Sequence, residues 1–352
     1  MKRELHLTTK RCTSNPTTRV AWFNRGVALY DLGQFEQAIT SFDQALHIKP
    51  DYHEAWYNRG VAAGNSVSCD LYLASQSPIA QQNPALNQRG YEGALASYEQ
   101  GLKYCLQDTH PEGWGILHQA IGNAHYFRGR RDSSPRPYWR KAVNSYYKAL
   151  KTLTAAAFPE AHLEVLQDLI RVYSDLGETQ KVEVLLGEGT DLLGRLLQET
   201  PSDAEKIRLS RKFAGFDQLR VDALVQAGNC YAALELAEQR KNLYLGWLLY
   251  GWSESAQDSP KYAQMQELLQ SSATGKDGEK AIIYWHISPT AITTFILRYQ
   301  QPPLVLSAKA DLTPPAPLPY KGMGESDSPL KSRRGAGGEV LLSPISPPTG
   351  RV

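Results

Sequence analysis

The chain has 352 residues, of which 42% are hydrophobic, so it is long enough for about two domains or one elongated array with a buried core. Its 38 basic and 36 acidic residues give a formal net charge of +2, and we identify no block of Lys and Arg that dominates a predicted face. We therefore expect no nucleic-acid partner.

Neither a membrane nor an oxidising compartment is indicated by the sequence. No segment reaches the ~18 consecutive apolar residues of a membrane span, and the basic N-terminus is not followed by the apolar stretch of a signal peptide. Four cysteines, Cys12, Cys69, Cys105 and Cys230, are far apart and form no C-x-x-C pair. We expect a cytoplasmic protein with reduced thiols, with no metal site and no cofactor.

In chain order, a basic and flexible leader over residues 1–18 precedes an internal repeat. The string Ala21–Ala28 returns almost unchanged as Ala55–Ala62, thirty-four residues later. Small and large apolar residues recur within the first unit at helical spacing, namely Trp22, Gly26, Leu29, Ala38, Phe42 and Ala45, and Pro50 ends it. This pattern resembles the tetratricopeptide repeat (TPR), a helix–turn–helix unit that stacks on its neighbours to bury its apolar face. Arg25 departs from it, because the family usually has Leu there.

The resemblance implies a helical solenoid over residues 19–252, built from five units. The first unit covers residues 19–52 and the second 53–108, with an insert over 64–87 that is rich in Ser, Gln, Asn and Pro and is predicted to be a surface loop. The third unit lies near residues 115–155 and contains a second insert. The fourth lies near residues 163–196, and a degenerate fifth lies near residues 216–252. A helix end and linker follow over residues 253–280.

After the linker the pattern changes from helix to strand. Two β-rich runs, Ala281–Ile287 and Ala291–Leu297, and a short third run, Leu304–Leu306, predict an antiparallel meander over residues 281–310. Residues 311–352 are rich in proline, so we expect a disordered tail. The fold class is thus mainly α, a TPR helix-hairpin solenoid followed by a small β meander and this tail.

The helix Ala233–Lys241 followed by these strands resembles the start of a CHAT domain, a caspase-related cysteine-protease-like family in which TPR units precede the protease-like part. The resemblance implies that the catalytic His and Cys lie further downstream, and nothing in residues 311–352 matches them. One interpretation is therefore a truncated bacterial CHAT-type protein, catalytically dead, whose TPR half is regulatory. The alternative is that the proline-rich tail is a ligand for a partner.

No residue pattern predicts an enzyme. A Cys230–His286 dyad lacks any surrounding motif, so a buried thiol and a histidine at a sheet surface are the better interpretation. His118 and His125 share a helix stripe, but no carboxylate completes a metal site. The glycines near Gly187 and Gly275 lack the spacing of nucleotide-binding loops.

The positive candidate is the groove that the first helices of TPR units line. The resemblance implies that positions 2, 5, 6, 9 and 12 of each unit reach the ligand. The candidate partner-binding residues there are Phe23, Asn24, Val27, Tyr30, Tyr57, Asn58 and Val61. Aromatic rings offer apolar area and amides offer hydrogen bonds, which suit an extended or helical peptide. The alternative is that Phe23 and Tyr57 only pack between helices.

We therefore predict an interaction scaffold that binds a protein or peptide. Self-association is a further possibility, since residues 243–252 are apolar nearly all round the helix and a terminal repeat needs a polar cap.

Overall fold

The first two repeats fold as antiparallel helix pairs in the computed structural model. The structure describes residues 18–67, 77–250, 261–272, 281–288 and 291–309. The first pair consists of α1 (Arg19–Asp31) and α2 (Phe35–Ile48). The first helix of the second pair is α3 (His53–Asn65).

Two glycines explain the geometry of the first pair. A Cβ atom on Gly26 would lie 2.5 Å from Cε1 of Phe42, so only glycine lets α2 approach α1 this closely. Gly33 has φ 74°, and the next residue, Gln34, donates its backbone N–H to the carbonyl of Leu29, 2.9 Å away. This left-handed turn reverses the chain between the two helices.

The predicted surface loop in the second unit is wrong for its described part, which is largely helical. Residues 77–87 form α4 (Pro78–Gln82) and a 3₁₀ helix (Pro84–Asn87), before α5 (Gly90–Gly101) completes the second pair. The Ser77 hydroxyl accepts the Ala80 N–H, 3.1 Å away, and so caps α4. Leu86 is fully buried in the core of the first two pairs, so this segment is part of the packed structure.

Three further helix pairs follow. Within residues 111–250 the helices are α6 (Pro111–Arg130), α7 (Arg136–Ala149), α8 (Pro159–Leu176), α9 (Thr179–Glu199), α10 (Asp203–Lys212), α11 (Gly215–Gln226) and α12 (Cys230–Tyr250). The sequence did not predict α10, which lies between the fourth and fifth pairs. It packs through Leu209, and its Lys212 forms ion pairs with Glu160 and Glu164 of α8.

A small sheet closes the described part of the chain, which confirms the predicted meander. After α13 (Tyr262–Ser272), β1 (Ala281–Ile287), β2 (Ala291–Arg298) and β3 (Leu304–Lys309) pair antiparallel in the order β1-β2-β3. Phe295 and Leu297 of β2 are buried in a cluster with Val221 of α11 and Ala233 of α12. The sheet thus has a helical support, which three short strands need for stability.

Several expectations lie wholly or partly outside the described residues. These are the leader, the middle of the insert, most of the 253–280 linker and the 311–352 tail. For the apolar end at residues 243–252, Leu245 is 47% exposed and Trp247 is buried, and the side chains of 244 and 248–252 are outside the description. In the described ranges, no helix is both long and apolar enough to cross a membrane.

Candidate functional site

The seven predicted partner-binding residues differ widely in exposure. Phe23, Asn58 and Val61 are buried. Val27, Tyr30 and Tyr57 are partly buried and Asn24 is exposed.

Phe23 is a packing residue in the first pair. Its ring centroid lies 5.9 Å from that of Phe42 and 5.1 Å from that of Tyr52, and 5% of the residue is exposed. This arrangement matches the alternative in which Phe23 packs between helices.

Asn24, Val27 and Tyr30 follow one another along the face of α1. The Tyr30 hydroxyl accepts a hydrogen bond from Nδ2 of Asn65 at 2.9 Å, which ties α1 to α3. Partial burial, and then the charge of Asp31, raise the pKa of Tyr30, so the phenol stays a neutral donor and acceptor. This stripe places an amide, an aliphatic side chain and a phenol on one face of α1.

Tyr57 lies on α3, in the second pair. Its ring lies 6.2 Å from Tyr98 across the second pair. Burial, followed by the carboxylates of Glu164 and Asp168 on α8, raises the pKa of Tyr57 above its usual value. The helices α3, α6 and α8 pack side by side, so first helices of three successive pairs form one surface.

A row of polar side chains crosses this surface, and the sequence analysis missed most of it. On α6, Gln119 donates a hydrogen bond from Nε2 to Oδ2 of Asp168 at 2.9 Å. On α8, Nη2 of Arg171 lies 3.5 Å from Oδ1 of Asp168. Asn123 accepts the Tyr146 hydroxyl at 2.7 Å. We call Tyr57, Gln119, Asn123, Asp168 and Arg171 the inner row.

Asp168 is the central group of the inner row. Burial raises its pKa, while Arg171 and the Gln119 hydrogen bond oppose that shift. A signal for this site was present in the sequence. Gly122 and Ile170 occupy position 8 of their units, so Gln119, Asn123 and Arg171 fall at the implied ligand-facing positions 5 and 9.

The structure explains the arginines that replace the usual Leu of the repeat. Arg25 donates to the Ser41 hydroxyl at 2.5 Å, and Arg59, at the same position of the second unit, donates to the Ser97 hydroxyl at 2.7 Å. Each serine lies on the second helix of its own pair. Arg59 also donates from Nε to Oδ1 of Asp43 at 2.6 Å. Arginine thus links the helices of each pair by hydrogen bonds in place of apolar packing.

The two residues considered for catalysis differ from the expectation, because Cys230 is only partly buried and His286 is buried under the sheet. His286 lies 3.3 Å from the carbonyl of Gln218 and 3.7 Å from Oδ1 of Asp222, and Ser288 donates to the same carboxylate. In the described ranges, no group of three or more His, Cys, Asp and Glu side chains is arranged to hold a metal ion. His286 and Ser288 instead attach the sheet to α11.

Comparison with known proteins supports the repeat. The family model of the TPR repeat matches residues 21–65, which span α1, α2 and α3. The chain therefore carries a TPR repeat in its first part. No curated protein matches the sequence at a significant level.

Several solved structures are similar to this chain. PilW, a widely conserved type IV pilus biogenesis factor, is 19% identical with a TM-score of 0.41, over 70% of this chain and 84% of PilW. MamA from Desulfovibrio magneticus RS-1 is 16% identical with a TM-score of 0.35, over 56% of this chain and 88% of MamA. YrrB, a TPR protein with an unusual peptide-binding site, is 13% identical with a TM-score of 0.33, over 65% of this chain and 88% of YrrB.

Proposed function

We propose that this protein is an interaction scaffold that binds a protein or peptide, in the cytoplasm, along the surface of its first helices. The observation that carries the proposal is the inner row, which places an amide, a carboxylate and a guanidinium on neighbouring helices. The backbone of an extended or helical segment has donors and acceptors that this mixture can pair with. The stripe of the exposed Asn24 and the partly buried Val27 and Tyr30 extends the surface to the first pair.

The test combines exposed positions of α1 with removal of a single hydroxyl at the partly buried Tyr57, so that the fold is preserved. Val20 is 45% exposed and precedes the exposed Asn24 by four residues, one helical turn. Peptides selected from a random library on the wild-type protein are measured by fluorescence anisotropy. We expect the Val20→Arg/Asn24→Arg double variant and Tyr57→Phe each to weaken binding by about tenfold or more.

A matched control is available on α9, the second helix of the fourth pair. Gln180→Arg/Val184→Arg makes the same chemical change at the same spacing, and Val184 is 69% exposed. The control should bind the selected peptides as the wild type does. If the first-helix variants also keep full affinity, the proposed surface is not the binding site.

A second candidate function rests on the sheet. Its outer face carries apolar side chains at high exposure, with Ile283 61%, Trp285 69% and Ile287 57% exposed, while its other face is buried on α11 and α12. Strands that are apolar on both faces are typical of sheets covered on both sides. We propose on this basis, as the alternative, that the chain is the catalytically dead, regulatory half of a CHAT-type cysteine peptidase.

Sequencing of the gene beyond codon 352 tests this alternative. We expect an α/β segment with a His and a Cys to be encoded nearby, in the same frame or a shifted one. A downstream region that encodes no such segment would leave only the scaffold function.

A further inference from the structure

The second helix of the third pair, α7, carries a strongly basic face. Residues 128–151 contain eight basic residues and one acid, Asp132, a net charge of +7 against +2 for the whole chain. Arg136, Arg140 and Lys148 follow one another at multiples of four residues and thus lie on one side of α7, over about 18 Å. We call Arg136, Arg140, Lys141, Lys148 and Lys151 the basic stripe; all five are exposed.

The basic stripe corrects a premise of the sequence analysis, which found no face dominated by Lys and Arg. The opposite side of α7 buries Ala142, Tyr146 and Ala149 in the core, and this burial fixes which side chains face solvent. Because the acidic residues of the chain lie elsewhere, the overall charge balance hid this local excess.

The cations of the stripe have no carboxylate partner among the residues that the structure describes. The acid of this segment, Asp132, lies 3.4 Å from Arg128 and outside the stripe. The positive field also reaches the interior of the pair. After burial, the charges of Lys148 and Lys151 lower the pKa of His118, and that of Lys141 lowers the pKa of His125. Lys141 lies over the ring of Tyr138, 5.8 Å from its centroid. Cations without a carboxylate partner at this density attract a polyanion.

An aromatic ring lies among these cations. Tyr147 is 46% exposed on the same side of α7, next to Lys148. Its hydroxyl accepts a hydrogen bond from the Tyr173 hydroxyl at 3.2 Å, which holds the ring in place. A fixed, half-exposed ring is a platform on which a nucleobase can stack.

We propose that the basic stripe binds single-stranded nucleic acid, with its cations on the phosphates and Tyr147 under a base. The ring distinguishes this ligand from an acidic peptide. The face of an aromatic ring carries partial negative charge, so it repels a carboxylate, whereas the face of a base stacks on it. This surface lies on a second helix and does not include the first-helix surface proposed to bind peptides.

The test measures binding of labelled oligothymidylate and oligouridylate of about 15 nucleotides to the full chain at several salt concentrations. Contacts with four to five phosphates predict that log K falls with log[salt] with a slope of about −3. Arg140→Gln/Lys148→Gln should reduce that slope by about 1.4. Tyr147→Leu should weaken binding about tenfold without changing the slope. A preference for one oligonucleotide identifies DNA or RNA as the ligand.

The control removes two exposed arginines outside the stripe, as Arg195→Gln/Arg211→Gln, and should keep the wild-type slope. Far-ultraviolet circular dichroism verifies that each variant is folded. The proposal is overturned if neither oligonucleotide binds at about 50 mM salt, or if both double variants change the slope equally. It is also overturned, in favour of an acidic protein ligand, if polyglutamate binds as tightly and Tyr147→Leu leaves the affinity unchanged.

Discussion

At the residue scale, the ion pair between Arg59 and Asp43 links the first two repeats and the insert. Both side chains are 1% exposed. Arg59 also donates to the Leu86 carbonyl at 3.0 Å, and Asp43 accepts the Ser77 hydroxyl at 2.5 Å. Each buried charged group is therefore stabilised by the other and by polar groups of the insert.

Removal of one partner of this pair should be costly. Asp43→Ala leaves the Arg59 charge buried without its carboxylate, and we expect a loss of about 3–5 kcal/mol in the free energy of unfolding, measured by urea denaturation. The double variant Asp43→Ala/Arg59→Met should lose less than Asp43→Ala alone, because no buried charge remains.

An ion pair with one exposed partner serves as the control for this prediction. Lys241, whose side chain is 44% exposed, pairs with Glu238 at 2.6 Å. Lys241→Ala should cost less than about 1 kcal/mol. An equal cost for Asp43→Ala and Lys241→Ala would show that burial of the Arg59–Asp43 pair has no energetic consequence.

At the element scale, the described part of the insert, residues 77–87, is a structural element that packs in the core of the first two pairs. Leu86 lies in its 3₁₀ helix and is fully buried. Leu86→Ala should therefore lower the free energy of unfolding by about 2–5 kcal/mol, because it leaves a cavity in a packed core.

The same substitution at an exposed leucine provides the comparison. Leu106 lies in the turn after α5 and is 53% exposed, so Leu106→Ala should change the free energy of unfolding by no more than about 0.5 kcal/mol. Chemical denaturation followed by circular dichroism measures both. A Leu86→Ala protein as stable as Leu106→Ala would restore the surface-loop interpretation of the insert.

The repeat period explains which elements the sequence predicted. The strings at Ala21–Ala28 and Ala55–Ala62 recur with the family spacing, so the helix-hairpin fold followed directly. The insert helices and α10 have no counterpart in the repeat, so the repeat pattern could not predict them. Their burial depends on residues distant in sequence, such as Leu86 against the first pair.

At the scale of the whole molecule, the candidate sites were predicted only in part for a related reason. A repeat position identifies the helix face of a side chain, but its exposure depends on the neighbouring units. Phe23 occupies an implied ligand position and is covered by Phe42 and Tyr52. Asp168 falls at the implied ligand position 6 of its unit, but it is buried, and only the packing shows that it lies beside Gln119.

Buried and partly buried histidines predict how the stability of the molecule depends on pH. Burial is the main cause that lowers the pKa of His53, His118 and His125 to about 4 in each case. In the unfolded chain these groups titrate near about 6.5. Between these values the unfolded chain binds more protons, so the free energy of unfolding should decrease as the pH falls from about 6.5 to about 4. Above about 7 both states are neutral at these residues, and they contribute no slope.

Urea denaturation at a series of pH values measures this decrease, and its slope reports the number of protons taken up on unfolding. His118→Gln/His125→Gln removes two of these groups, while His53 and His286, whose pKa burial also lowers, remain. The slope between pH 4 and 6.5 should therefore become flatter without vanishing, whatever the effect of the substitutions on stability at neutral pH. His47→Gln, at an exposed position, should leave the slope unchanged. Buried carboxyls act in the opposite sense, because burial raises the pKa of Asp168 and Asp217 and folding then holds protons that the unfolded chain has released. A slope that His118→Gln/His125→Gln leaves at the wild-type value would contradict the assignment of the acid sensitivity to these two histidines.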